Sequence, residues 1–128
     1  MKQEIITILN NKNKKSQTKK EILQQLNKIS KVDIDTLETT LEDMQKEGTL
    51  YFNERTEKYI LFKNTNLERG ILILDKNGNG IVQINDERSI IIPKRYLKHA
   101  DYKDIVTIEY DNQNEIWKVI KYAVSPSG

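Results

Sequence analysis

The chain has 128 residues, no cysteine and one histidine, and its 21 basic and 19 acidic residues give a formal charge of +2. That composition excludes disulfide frameworks, thiolate metal sites, cysteine nucleophiles and any multi-histidine metal centre. So balanced a charge does not by itself mark a nucleic-acid binder, and the length suffices for one medium domain or two small ones.

Ile5, Ile8 and Leu9 recur at helical spacing and predict a first helix, broken by the polar stretch from Asn10 to Gln17. Ile22, Leu23, Leu26 and Ile29 predict a second, with Ser16 or Thr18 as N-cap. Ile34, Leu37, Leu41 and Met44 predict a third, entered through Asp33 or Asp35 and stopped by Gly48. The period then changes. "TLYFNERTEKYILF" is two short β-prone runs around a polar turn and reads as a hairpin. Three helices followed by a hairpin predict a winged helix-turn-helix over residues 1–64.

After the polar connector "KNTNLER", strand signals recur as "GILIL", "GIVQI", "SIIIP", "DIVTIEY" and "IWKVIKYAV". The longer piece "KRYLKHADYK" falls between the third and fourth. Five strands with an insertion after the third predict a small OB-type barrel over residues 68–124, which hides its edges by closure. The expected fold class is therefore α+β in two small domains. No apolar run nears the roughly 20 residues that span a bilayer and no signal-peptide core is present, so the expected location is the cytoplasm, with no membrane partner.

Charge distribution says more than the total. Lys12, Lys14, Lys15, Lys19 and Lys20 fall close together with no intervening acid. Such a run is either a solvated loop and helix start or a sequence-blind grip on a phosphate backbone, which Arg55 and Lys58 on the hairpin turn could extend. Lys94, Arg95, Tyr96 and Lys98 are the densest cationic group in the second half, and an interleaved aromatic suits backbone charge plus one stacked base. Tyr96 could equally close the barrel core. Lys76 and Arg88 sit in turns flanking the second and third strands, where they either rim a binding face or are simply solvated. The third helix, by contrast, exposes Glu38, Glu42, Asp43 and Glu47 against Lys46 alone, the wrong sign for a DNA groove. Asp101 and Asp104 are too few for a magnesium site and read as loop polarity; His99 has no partner suggesting catalysis.

The stretch "RGILILDKNGNGIVQINDERSIIIPKRYLKHADYKDIVTIEY" resembles the first cold-shock-like domain of ribonuclease R-like members of the RNB exoribonuclease family. The likeness rests on Gly70, on Gly78 to Val82, on Ser89 to Pro93, and on Leu97, Ala100, Asp104 and Val106. "MQKEGTLYF" is similar to the helix-to-hairpin junction of the winged helix that precedes that barrel in the family. The resemblance implies a non-catalytic N-terminal module that receives single-stranded or structured RNA and guides it to the catalytic domain of the same polypeptide. That domain, with its aspartate cluster and magnesium, would lie outside this chain; no cofactor is expected here, and the state expected is a monomer. Family aromatics are replaced by Asn79, Ile81 and Ile91, so RNA binding should be weak, salt-sensitive and carried by the cations. Two rival readings are a winged-helix DNA-binding regulator with an accessory barrel and a protein-interaction module.

Overall fold

The computed structural model describes residues 1–124, and the chain divides into two compact units, Met1–Thr65 and the segment from Asn66 onward. In the first unit α1 (Lys2–Leu9), α2 (Lys19–Leu26) and α3 (Ile34–Glu47) form where apolar residues recur every three or four positions. Their shared faces bury Ile5, Leu9, Ile22, Leu37, Leu41 and Met44 in one core. Local chemistry sets the boundaries. The Thr18 hydroxyl accepts from the Glu21 N–H at 3.2 Å while the Glu21 carboxylate accepts from the Thr18 N–H at 3.0 Å, a reciprocal capping box that starts α2. Asp33 accepts from the Thr36 N–H at 2.8 Å to start α3, and Gly48 ends it at φ +84°, a conformation glycine adopts without strain. Ile29, expected within the second helix, lies beyond its end and is 69% exposed.

The winged helix-turn-helix, three helices plus a β-hairpin, is not what the structure shows. The hairpin strands β2 (Leu50–Asn53) and β3 (Lys58–Leu61) are present, but β1 (Ser16–Thr18) pairs with the far edge of β3. The result is a three-stranded sheet in the order β1-β3-β2. The physical reason is Gln17. Its side chain is fully buried and donates to the carbonyls of Ile8 at 3.3 Å and Lys14 at 3.0 Å, which pulls the polar linker into the sheet.

The second unit is one antiparallel sheet of β4 (Glu68–Leu74), β5 (Gly80–Asn85), β6 (Arg88–Ile92), β7 (Ile105–Asp111) and β8 (Ile116–Ala123). Its strand order is β6-β5-β4-β7-β8, which fits a barrel. Leu72, Val82, Ile90, Ile92, Val106, Ile108 and Val119 alternate inward and meet Leu97 and Ala100 from the β6–β7 loop. That loop begins with a 3-10 turn, Lys94–Tyr96, lying near β8.

Candidate nucleic-acid interface

Side chains that alternate inward along β4, β5 and β6 leave the intervening ones facing out. Ile73, Ile81 and Ile91 are successive cross-strand partners on that outer face, and Ile91 is 71% exposed. Two of the three positions where the family resemblance places aromatics therefore do point outward, but they carry aliphatic chains without a π-face. The third does different work. Asn79 accepts from the Lys94 N–H at 3.0 Å through its side chain, and its own N–H donates to the Asp75 carboxylate at 2.9 Å. It ties the β4–β5 turn to the start of the 3-10 turn and is not a reading residue.

The cationic residues fall into three groups. In the lysine run, Lys14 is ion-paired with Glu21 and Lys19 with Glu38, the latter at 2.8 Å. Both pairs cancel charge that a phosphate would need. Lys12, Lys15 and Lys20 are exposed and make no ion pair among the described residues. Arg55 is exposed on the β2–β3 turn, where its N–H donates to Asn53 at 3.0 Å. Arg88 is ion-paired with Glu68, so it is not available as a rim cation at no cost. Lys76 is exposed on the β4–β5 turn, and the Lys94 side chain lies across the same turn: a Cβ on Gly78 would stand 3.2 Å from Lys94 Cε.

Arg95, Tyr96 and Lys98 are brought together. They line a cleft of about 360 Å³ with Lys118 and Ile120 of β8 and Glu109 of β7. The Arg95 guanidinium stands 5.0 Å from the centre of the Tyr96 ring, a cation–π contact. Tyr96 also packs against the barrel core. The ring thus has one side on the core and the guanidinium beside it, and the planar guanidinium is the group offered to a ligand. Lys98 and His99 follow at φ +53° and +67°, left-handed conformations that cost a side-chain-bearing residue roughly 1–2 kcal/mol each. In that strained loop the Lys98 ammonium reaches to 3.5 Å from the Ile120 carbonyl.

Lys118 and Glu109 were missed from the sequence, although a signal existed. Counting outward from the "DNQNE" turn pairs Asp111 with Ile116, Tyr110 with Trp117 and Glu109 with Lys118. Lys118 lies 3.9 Å from Asp111, whose carboxyl is held low mainly by hydrogen bonds from Asn114. Glu109 is exposed and makes no ion pair among the described residues.

A second cleft, about 520 Å³, lies in the first unit and is lined by Asn11, Lys14, Glu21, Gln24, Gln25 and Lys28. It is larger, yet Lys14 is already matched by Glu21 and no aromatic lines it. The smaller cleft holds two cations without an ion pair among the described residues, Arg95 and Lys98, against Lys28 in the larger, although its Lys118 is matched by Asp111 as Lys14 is by Glu21. Among the described residues no group of three or more histidine, aspartate or glutamate side chains is placed to hold a metal ion. Asp104 is buried and accepts from the Asp101 N–H at 2.8 Å, which makes this pair a loop closure. On the third helix Glu38, Glu42 and Glu47 are each matched by a lysine, Lys19, Lys46 and Lys2. No helix among the described residues is long and apolar enough to cross a membrane. Neither protein-family models nor curated proteins give a match to this sequence.

Proposed function

We propose that the chain is a non-catalytic RNA-binding module that holds single-stranded RNA by its backbone in the cytoplasm, as a substrate-guiding segment of a ribonuclease R-like exoribonuclease. The observation that supports this reading best is the cleft in which Arg95, Lys98 and Lys118 converge around Tyr96. Arg95 and Lys98 make no ion pair among the described residues and Lys118, 3.9 Å from Asp111, adds to them; together they can contact successive phosphates, and a guanidinium plane can stack one base. Phosphate contacts of this kind position a strand without reading its sequence. The link to the exoribonuclease family rests on the glycine, proline and loop spacing of the second half, from Gly70 to Val106.

Fluorescence anisotropy with a labelled single-stranded RNA at low salt tests the reading. The parent chain should bind weakly, and the double variant Arg95→Ala, Lys98→Ala should lose most of that binding while keeping its circular dichroism spectrum. Equal binding by parent and variant would move the interface elsewhere. The RNA should stay intact when incubated with the chain and magnesium, and metal-dependent shortening would contradict a non-catalytic role.

A further inference from the structure

The cleft contains a group that a phosphate site has no use for. Glu109 is exposed, faces Lys118 across the β7–β8 ladder and lines the same cavity as Arg95 and Lys98. Lys118 takes Asp111 as its ion-pair partner, and Glu109 has none among the described residues. A carboxylate among three cations weakens attraction for phosphates, yet it supplies two hydrogen-bond acceptors side by side. Of the four RNA bases, guanine alone presents two adjacent donors and no interrupting acceptor there, N1–H and the N2 amino group. Adenine and cytosine each offer one amino donor beside a lone pair, and uracil offers one N–H between two carbonyls. Arg95, held against Tyr96 at 5.0 Å, supplies a plane against which a base can lie while its edge meets the carboxylate. The cavity, about 360 Å³, is at the small end of ligand sites and suits one nucleotide.

We infer that this cleft is a guanine-selective subsite: an unstacked guanine lies on the Arg95 guanidinium and donates through N1 and N2 to the Glu109 carboxylate, with Lys98 and Lys118 on the flanking phosphates. The inference rests on the RNA-binding reading above and deepens it.

The test uses the full chain and short labelled oligouridines carrying one central guanosine, adenosine or cytidine, beside the all-uridine strand. The guanosine strand should bind about fivefold to tenfold tighter than the others, the low end of what a bidentate base contact discriminates. Glu109→Gln presents one acceptor and one donor, so the guanosine preference should fall to within about twofold while binding of the other strands holds or rises. A Glu109→Gln variant that tightens every strand equally and keeps the ratios would show Glu109 to be a bystander charge and overturn the subsite. Equal binding of all four strands by the parent chain would also overturn it while leaving the RNA-binding reading intact. Absence of binding to any strand at low salt would instead remove that reading, and the subsite with it. Arg95→Lys keeps the charge but not the plane, and should reduce the guanosine preference without abolishing binding.

Discussion

A methyl group on Gly70 would stand 2.3 Å from the Gln83 carbonyl oxygen and 2.8 Å from its carbon, so β4 and β5 can approach only over a residue with no side chain. That carbonyl is backbone and cannot rotate away, and the next neighbour is Val82 Cγ1 at 2.9 Å. Gly70→Ala should therefore destabilise the second unit by about 2–3 kcal/mol, the upper part of the overpacking range. Gly80 is tight for a gentler reason: its Cβ would meet the tips of Leu97 and Leu72 at 2.5 and 2.8 Å. Those tips can rotate, and Gly80→Ala should cost about 1 kcal/mol. Trp117 is the only tryptophan, lies against the barrel core, and its fluorescence during urea unfolding reports this unit directly. Equal midpoints for the two variants would contradict the distinction between rigid and flexible neighbours. Both glycines were legible in the sequence as landmarks, but their cause was not, because close approach of two strands is a fact of register. Asn79 was misleading for the same reason. Where the family likeness places an aromatic, its amide bonds the Lys94 N–H fifteen residues on, a contact no local pattern announces.

Among the described residues the three α-helices and seven of the eight strands follow patterns visible in the sequence; β1 does not, and its three residues Ser16–Thr18 read as a polar break. A strand that short is made by a single buried amide. Gln17 donates to the carbonyls of Ile8 and Lys14, and its oxygen accepts from Gln25. Gln17→Leu keeps the bulk, loses those bonds and leaves polar groups unsatisfied, so it should cost the first unit about 1–3 kcal/mol. Circular dichroism at the α-helical band follows that unit, since the three α-helices among the described residues lie in it. A Gln17→Leu variant as stable as the parent would mean that β1 is held by its backbone bonds alone. The start of α2 adds a pH dependence. The Lys14 ammonium and then the Thr18 N–H bond pull the Glu21 carboxyl from 4.5 to about 2. Because its folded value lies below its unfolded one, the stability it gives is fully present above about pH 4.5 and is lost as pH falls toward 2. Asp33, lowered chiefly by the Thr36 N–H bond, acts in the same direction at the start of α3. Helix melting temperatures should thus fall through that acidic window, and Glu21→Gln should lower them at neutral pH and flatten their pH dependence. Parallel pH profiles for parent and variant would rule this out.

Across the whole chain the formal charge is only +2, and the folded structure spends part of its cationic supply internally: Lys14, Lys19 and Arg88 face Glu21, Glu38 and Glu68. Pairings seven and nineteen positions apart, Lys14 with Glu21 and Lys19 with Glu38, leave Lys12, Lys15 and Lys20 as the members of the densest lysine run without an ion pair among the described residues. The cleft collects Arg95 and Lys98 from the β6–β7 loop and Lys118 from β8, with the whole of β7 between them in the chain, and only the first two were visible beforehand. This difference has a measurable consequence in salt. Single-stranded RNA whose phosphates meet three cations releases about 0.7 counterion per contact, giving a slope of log K against log salt of about −2. If the whole lysine run took part as well, the slope would steepen to about −5 or more. Replacing Lys98 with glutamine should make it shallower by about 0.7, the share of one phosphate contact on a single strand. Replacing Lys12, Lys15 and Lys20 together with glutamine should leave it nearly unchanged, even though that variant removes more charge from the protein. A slope that follows total charge rather than the cleft residues would mean that the strand is held by the diffuse field of the molecule, and not at a defined place on it.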